Sequence, residues 1–369
     1  MRNVLIGLLT GILVGIIIGG TAIMPGDNDA ALKPSPPPAL KAAATNPETP
    51  AQTTWRMASA YSLESGFPAT LARRFARMSL ENSNGAFNIQ LAGPGELIQP
   101  GETLNAVRAG AIEAAFFTPG LRAANNPGLH LFSGIPFGPA APEFLSWFYG
   151  GDGQKYYDEL SGKQGIKAII CGLQTPRSSG RFKSPLTSVN DLKSMSYSIQ
   201  GLGARVLGLL GATPVDIPDS DLFQAFSKNI ISAAQPQAPN HTITQALNKV
   251  APYYYVPGWQ QPVELFELII NGEKWQSLSA IDQSRLMTMC GDNVRYSIAF
   301  QETESFGRLK SLVDQGVQIR RLPDDIIKQL KNAWQQVAKE EKNTAFQKIL
   351  KSLNTFREEY SIWKDIGAL

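Results

Sequence analysis

The stretch YSIQGLGARVLGLLGATPVDIP, Tyr197 to Pro218, sets four glycines into eleven residues, Gly201 to Gly211, between two runs that read as β-strands. A dinucleotide fingerprint puts its third glycine three residues after the second, at the helix–strand contact, with an acid about 20 residues further on. Val206 stands at that third place, so the fingerprint fails. A phosphate loop needs a Gly-Lys-Ser/Thr triplet opening the helix, and the stretch contains none. What remains is a strand over Ser196–Ile199, a glycine turn, a short helix near Ala204–Leu210 and a second strand over Thr213–Ile217.

The same alternation continues on both sides. WRMASAY from Trp55 reads as a strand, Leu71, Phe75 and Met78 share one helical face, and FNIQLA is a strand. LNAVRAG gives a helix turn, and AIEAAFF, IKAIIC and VELFELIIN (Val263–Asn271) give further strands. Strand and helix taking turns argues for an α/β fold with a mainly parallel sheet. Beyond Asn271 the chain turns helical: Ser279–Gln315 fits one extended or broken helix, followed by a VQIRRL strand and two more helices.

A chain of 369 residues can hold two lobes or domains with sizeable cores, and 43% apolar with 18% charged is ordinary for a globular protein. The net charge of +3, without a dense Lys/Arg run interleaved with aromatics, argues against nucleic acid as a partner. Cys171 and Cys290 lie 119 positions apart, outside any Cys-x-x-Cys pair, and His130 and His241 have no metal-ligand spacing around them. These residues read neither as a zinc site nor as a Cys-His nucleophile. The cysteines read as two buried thiols, one in a strand and one in a helix.

The first 26 residues differ from the rest. One Arg precedes an uncharged apolar run of 21 residues, Val4 to Met24, enough at about 1.5 Å per residue to cross a bilayer core. The segment sends the chain out of the cytoplasm and reads as an uncleaved anchor in the inner membrane. Gly20-Thr21-Ala22 offers residues that signal peptidase accepts, which leaves cleavage open. Gly7, Gly11, Gly15 and Gly19 line one helix face, a close-packing pattern or simply the glycine content common in such segments. Residues 27–54, with six prolines and seven alanines, read as an extended linker.

An exported, tethered α/β body without catalytic residues suits a solute receptor, and particular motifs sharpen this. PGELI (Pro94–Ile98), IPFGPAAPEFLSWFYGGDGQKYYDEL from Ile135, DLK at Asp191, GLGARVLGLLGATPVDIP and APYYYVPGWQQP (Ala251–Pro262) occur in that order. On these the chain resembles the substrate-binding proteins of tripartite ATP-independent periplasmic (TRAP) transporters, in particular the 2-oxoacid, mannitol and chloroaromatic branch. The resemblance runs from about Trp55 to beyond Leu286. It implies a two-lobed periplasmic binding protein fold, type II-like, with mixed sheets and long C-terminal helices. It divides the body into lobe I, residues 55–174 and 263–313, and lobe II, residues 175–262 and 314–369. It also implies a small organic solute and a pair of membrane permease subunits as partners, with the opening stretch shaping the ligand cleft.

At the implied site the chain departs from the family. Where most members end the strand after Asp-Leu-Lys in a carboxylate-binding arginine, this chain has Ser198. Where the 2-oxoacid branch has a Glu-Trp pair and a second Glu that hold a cation with the ligand, this chain has Gln235, Pro236 and Gln261. Two amides in place of two carboxylates remove two negative charges from a site for a hard cation, so the expected site holds no metal and no cofactor. Arg177 stands where that branch has Gln, as in sialic-acid-binding relatives; it reads either as the anion's partner, which glutamines would leave unquenched, or as an exposed loop arginine beside Arg181 and Lys183. Trp259 and Tyr253–Tyr255 read either as core or, by the resemblance, as cleft wall for Trp259. After Phe117, Gly120, Leu121 and Arg122 replace the aromatics of relatives, which opens the cleft.

Two functions follow: a receptor that closes its lobes around a small organic anion, or a degenerate receptor acting as a membrane-tethered sensor or interaction protein. An enzyme ranks third. The chain has no nucleophile elbow, and the carboxylates of PDSDLF read as helix N-caps near Asp219.

Overall fold

The computed structural model describes residues 53–64, 66–124, 126–175, 178–236 and 241–367. The expected anchor, the linker up to Gln52, and Arg177 lie outside the described residues. In chain order the strands are β1 (Thr53–Ser59), β2 (Phe87–Ala92), β3 (Ala114–Phe117), β4 (Ile166–Gln174), β5 (Gly180–Phe182), β6 (Ser196–Ser198), β7 (Thr213–Val215), β8 (Ala233–Ala234), β9 (Tyr253–Tyr255), β10 (Glu264–Asn271) and β11 (Gln318–Arg320). They build two sheets, one ordered β2-β1-β3-β10-β4 and the other β11-β9-β5-β8-β6-β7.

Both sheets are mixed, where alternation alone argues for mainly parallel pairing. In the first, β2, β1 and β3 run parallel, as right-handed strand–helix–strand units require. β10 runs antiparallel to both β3 and β4, because the chain re-enters this sheet from the second one. VELFELIIN is buried throughout because both faces of the sheet are covered. Leu265 and Ile269 join one core, while Phe266, Leu268 and Ile270 join the other with Leu71, Phe75 and Met78 of the Phe67–Asn82 helix.

The opening stretch folds as strand, helix and strand, but the helix spans Gly201–Leu209 and so begins three residues before the expected Ala204. The glycines belong to its first turn. Gly201 holds φ at +65°, and a Cβ on Gly203 would stand 3.0 Å from the Gln260 Cβ, so this turn is glycine-rich to let another segment approach. The long C-terminal helix is unbroken over Ala280–Asp314 and starts at a Ser279 cap that accepts from the Asp282 N–H. Helices Asp324–Glu340 and Thr344–Gly367 complete the chain. The last of them returns to the first sheet's side: Trp147 donates to Ser352, and Arg357 pairs with Glu143 at 2.8 Å. Among the described residues no helix is long and apolar enough to cross a membrane.

The cysteines need correcting. Cys171 of β4 and Cys290 of the long helix sit in a strand and a helix as expected, but they form a disulfide and are not free thiols. Each is fully buried at the strand–helix contact, which brings them together across 119 positions. Such a bond fits an oxidising compartment. Closing so long a loop restricts the unfolded chain, so a Cys171→Ala/Cys290→Ala variant is expected to lose about 2–4 kcal/mol of stability. Denaturant titration checks this through the free energy extrapolated to water, with a steeper slope for the variant because its unfolded chain is less compact; equal extrapolated stabilities for variant and parent would refute it.

Candidate functional site

Three segments carry the chain between the sheets: β4 to β5, β9 to β10, and the end of the long helix to β11. The sequence-predicted residues collect beside the second of these. The Asp-Leu-Lys motif sets the entry to β6. Ser188 caps the turn Val189–Leu192, and the Asp191 carboxylate accepts from the Thr187 and Ser188 N–H groups and from the Thr187 hydroxyl. Those bonds hold Asp191 below the usual carboxylate range, the Thr187 N–H contributing most.

β6 ends at Ser198, which is buried. Its hydroxyl bridges the backbone of Ile217, accepting from N–H at 3.3 Å and donating to C=O at 3.4 Å. Its carbonyl accepts from the Gln235 N–H at 2.9 Å, where β8 ends. The Gln235 side chain, 4% exposed, donates to Gln261 Oε1 at 3.3 Å, and Gln261 Nε2 donates to the Ser133 carbonyl at 3.2 Å. A polar chain therefore runs from β6 through β8 and the second crossing to the loop after β3. Gly134 in that loop lies so close that a Cβ would stand 2.4 Å from the Gln261 Cγ, and its φ of +135° also demands glycine.

Trp259 is buried against the same loop. Its ring stacks on Phe137 with centroids 5.6 Å apart, and its carbonyl accepts from the Phe137 N–H at 2.7 Å. Phe137 adopts φ +54°, an uncommon conformation for a bulky residue, held by that bond and by Arg357 donating to its carbonyl at 3.1 Å. The structure thus brings Ser198, Gln235, Gln261 and Trp259 into one cluster. Arg177 lies outside the described residues.

Two residues depart from expectation. Gln260, not singled out by sequence, is the most buried of the Trp-Gln-Gln run; its Nε2 donates to the Ser178 carbonyl at 3.1 Å and ties the first crossing to the second. Only the close approach implied by glycines at 201 and 203 hints at it. Arg122, one of the three residues standing where relatives have aromatics, turns inward. Fully buried, it donates to both oxygens of Glu267 at 2.7 and 2.8 Å, to Gln164 at 2.7 Å and to Ser161 at 3.0 Å. Burial opposes its charge, yet the Glu267 carboxylate holds its pKa above the ordinary arginine value. Leu121 beside it is exposed.

At Gln235 and Gln261, where the resemblance implies cation ligands, the donors are neutral amides already paired with each other and with a backbone carbonyl, a set that does not match the charged oxygens a hard cation selects.

The chain as a whole is similar to known proteins. The sequence profile of the family described as bacterial extracellular solute-binding protein, family 7, matches residues 64–344. The monocarboxylate 2-oxoacid-binding periplasmic protein of Nostoc sp. is 25% identical over 320 residues, covering 85% of this chain and 87% of its own. A TRAP solute-binding protein from Bordetella bronchiseptica, crystallised with copurified calcium and picolinate, is 27% identical with a TM-score of 0.78, covering 85% of this chain and 94% of that one. A TRAP periplasmic solute-binding protein from Colwellia psychrerythraea with bound calcium and pyruvate is 26% identical with a TM-score of 0.80, covering 85% and 97%.

Proposed function

This chain belongs to the bacterial extracellular solute-binding proteins of family 7, and on that premise we propose that it is the extracytoplasmic receptor of a TRAP transporter, binding a small organic carboxylate between two lobes without a metal ion. The observation that carries this reading is the polar chain Ser198–Gln235–Gln261–Ser133, which joins both sheets' loops at the position where the resemblance implies the ligand. Relatives that hold calcium with picolinate or pyruvate make a carboxylate the natural solute class. The chain is a carrier and not an enzyme. Ser198 in place of the family's arginine is what speaks for the sensor alternative, and the packed loops that shape the site weigh against it.

In this reading the first sheet and its helices form one lobe, residues 55–174 and 263–313, and the second sheet forms the other, residues 175–262 and 314–369. The Thr344–Gly367 helix packs back onto the first, with Ile349 beside Gly128. Because the Ser198 hydroxyl is spent on Ile217, the anion's charged partner falls to Arg177. Native mass spectrometry of the gently purified full chain is expected to reveal a copurified organic acid. Arg177→Ala should abolish its retention, a loss of roughly 2–5 kcal/mol for a desolvated anion without its partner. If Arg177→Ala holds the same solute as tightly as the parent, Arg177 does not carry the anion.

The anchor belongs to the same proposal. An apolar run of 21 residues followed by a proline-rich linker suits a receptor held at the inner membrane with its body in the periplasm. Cell fractionation should place the mature protein with the inner membrane; a soluble form beginning near Ile23 would refute the tether.

A further inference from the structure

Four residues other than glycine hold a positive φ among the described residues: Asn84, Phe137, Ser194 and Asn229. Asn84, Ser194 and Asn229 are small polar residues in exposed turns, where that conformation is tolerated. Phe137 is bulky and half-buried, so its surroundings must hold it there.

The φ rotation separates a residue's N–H from its C=O, and both groups of Phe137 are tied. The N–H donates to the Trp259 carbonyl at 2.7 Å, and the C=O accepts from Arg357 Nη1 at 3.1 Å. The ring is gripped as well: it stacks on Trp259, and the Lys331 ammonium lies 5.7 Å from its centre. Trp259 belongs to the solute cluster, whereas Lys331 and Arg357 come from the last two helices. Lys331 is exposed and the Arg357 side chain is 34% exposed, so both reach the surface.

Those two helices are seated on different parts of the body. Asp325 on the first accepts from the Val189 N–H at 3.3 Å, in the turn that leads into β6, and Ile349 on the second lies against Gly128. They meet at Glu341, which pairs with Arg205 at 3.0 Å and accepts from the Asn343 N–H at 3.1 Å. A movement of either helix therefore pulls on Phe137.

We propose that Phe137 is a positioning residue for the solute site, controlled from the surface by Arg357 and Lys331. While both hold it, Trp259 stays fixed in the cluster beside Gln261. When either lets go, the backbone relaxes from positive φ and the Phe137 N–H turns away from the Trp259 carbonyl. The proposal rests on reading that cluster as the solute site, but its test needs no solute, so a failure here and an absent copurified acid are separate results.

Fluorine NMR of the full chain labelled with 5-fluorotryptophan reads Trp259 directly, its resonance assigned with Trp259→Phe. The parent should show one Trp259 resonance. Arg357→Lys keeps a cation for Glu143 but has no fork to hold the Phe137 carbonyl as well, and about a tenth or more of the Trp259 signal should move to a second position. Lys331→Met should move the same resonance in the same direction by less. Glu143→Gln removes the ion pair but leaves the carbonyl bond, and should leave Trp259 where it is; a purely structural role for Arg357 would disturb all three variants alike. A Trp259 resonance unmoved by Arg357→Lys, or moved equally by Glu143→Gln, overturns the proposal. Should Arg357→Lys fail to fold, Lys331→Met decides, and an unmoved Trp259 there overturns it.

Discussion

Arg122→Met is expected to lower the stability of the folded body by about 3–5 kcal/mol, because it leaves the Glu267 carboxylate buried without its cation. The guanidinium satisfies both Glu267 oxygens, Gln164 and Ser161, and it lies 5.4 Å over the Tyr157 ring, so no part of it reaches water. Tyr157 donates its hydroxyl to Glu267 as well. For a body of this size the loss should appear as a fall in Tm of roughly 5–10 °C. Arg122→Met/Glu267→Leu should recover most of it, since removing both charges removes the desolvation cost along with the attraction. A single variant as stable as the parent would show that the network does not fasten the loop after β3 to β10.

The same cluster sets an alkaline limit. Burial, and then the Glu267 charge, push the Tyr157 hydroxyl well above its ordinary value. The folded state therefore keeps a proton that the unfolded chain gives up, and stability falls as pH rises above about 10.

How much of this was legible follows from the range of each signal. Local periodicity located FNIQLA, Leu71-Phe75-Met78 and VELFELIIN, because each records burial of its own segment. Resemblance singled out Ser198, Gln235, Trp259 and Gln261, which the fold gathers at one place. What escaped depends on pairing across the chain. Cys171 and Cys290 carry no spacing that announces a bond, and Arg122 looks like any loop arginine until Glu267, 145 positions away, is brought beneath it. Arg181 reads as a neighbour of Arg177, since nothing in GRF says that a strand will bury the arginine. The helix starts at Gly201 and not Ala204 for a related reason: the close contact between Gly203 and Gln260 is tertiary.

Gln235→Glu/Gln261→Glu should be destabilised by about 3–5 kcal/mol in EDTA and regain much of that in calcium. The parent amides are 3.3 Å apart and share one hydrogen bond, a pairing that two carboxylates cannot form. At that separation like charges in a partly desolvated site repel by up to about 5 kcal/mol at an effective dielectric near 20. One relief is protonation, so the deficit should vanish as pH falls below about 4.3, where both states carry neutral acids. The other is a cation. Two carboxylates beside the Ser133 carbonyl, already aimed at position 261, offer the charged and neutral oxygens calcium selects. Calcium at 100 times its Kd would return about 2.7 kcal/mol. Each single glutamate should respond weakly, and the parent not at all. A parent whose Tm rises with calcium would mean that the amides themselves hold a cation. A double variant indifferent to calcium would mean that these positions lack a cation site's geometry, and that Gln235 and Gln261 are not its neutral replacement.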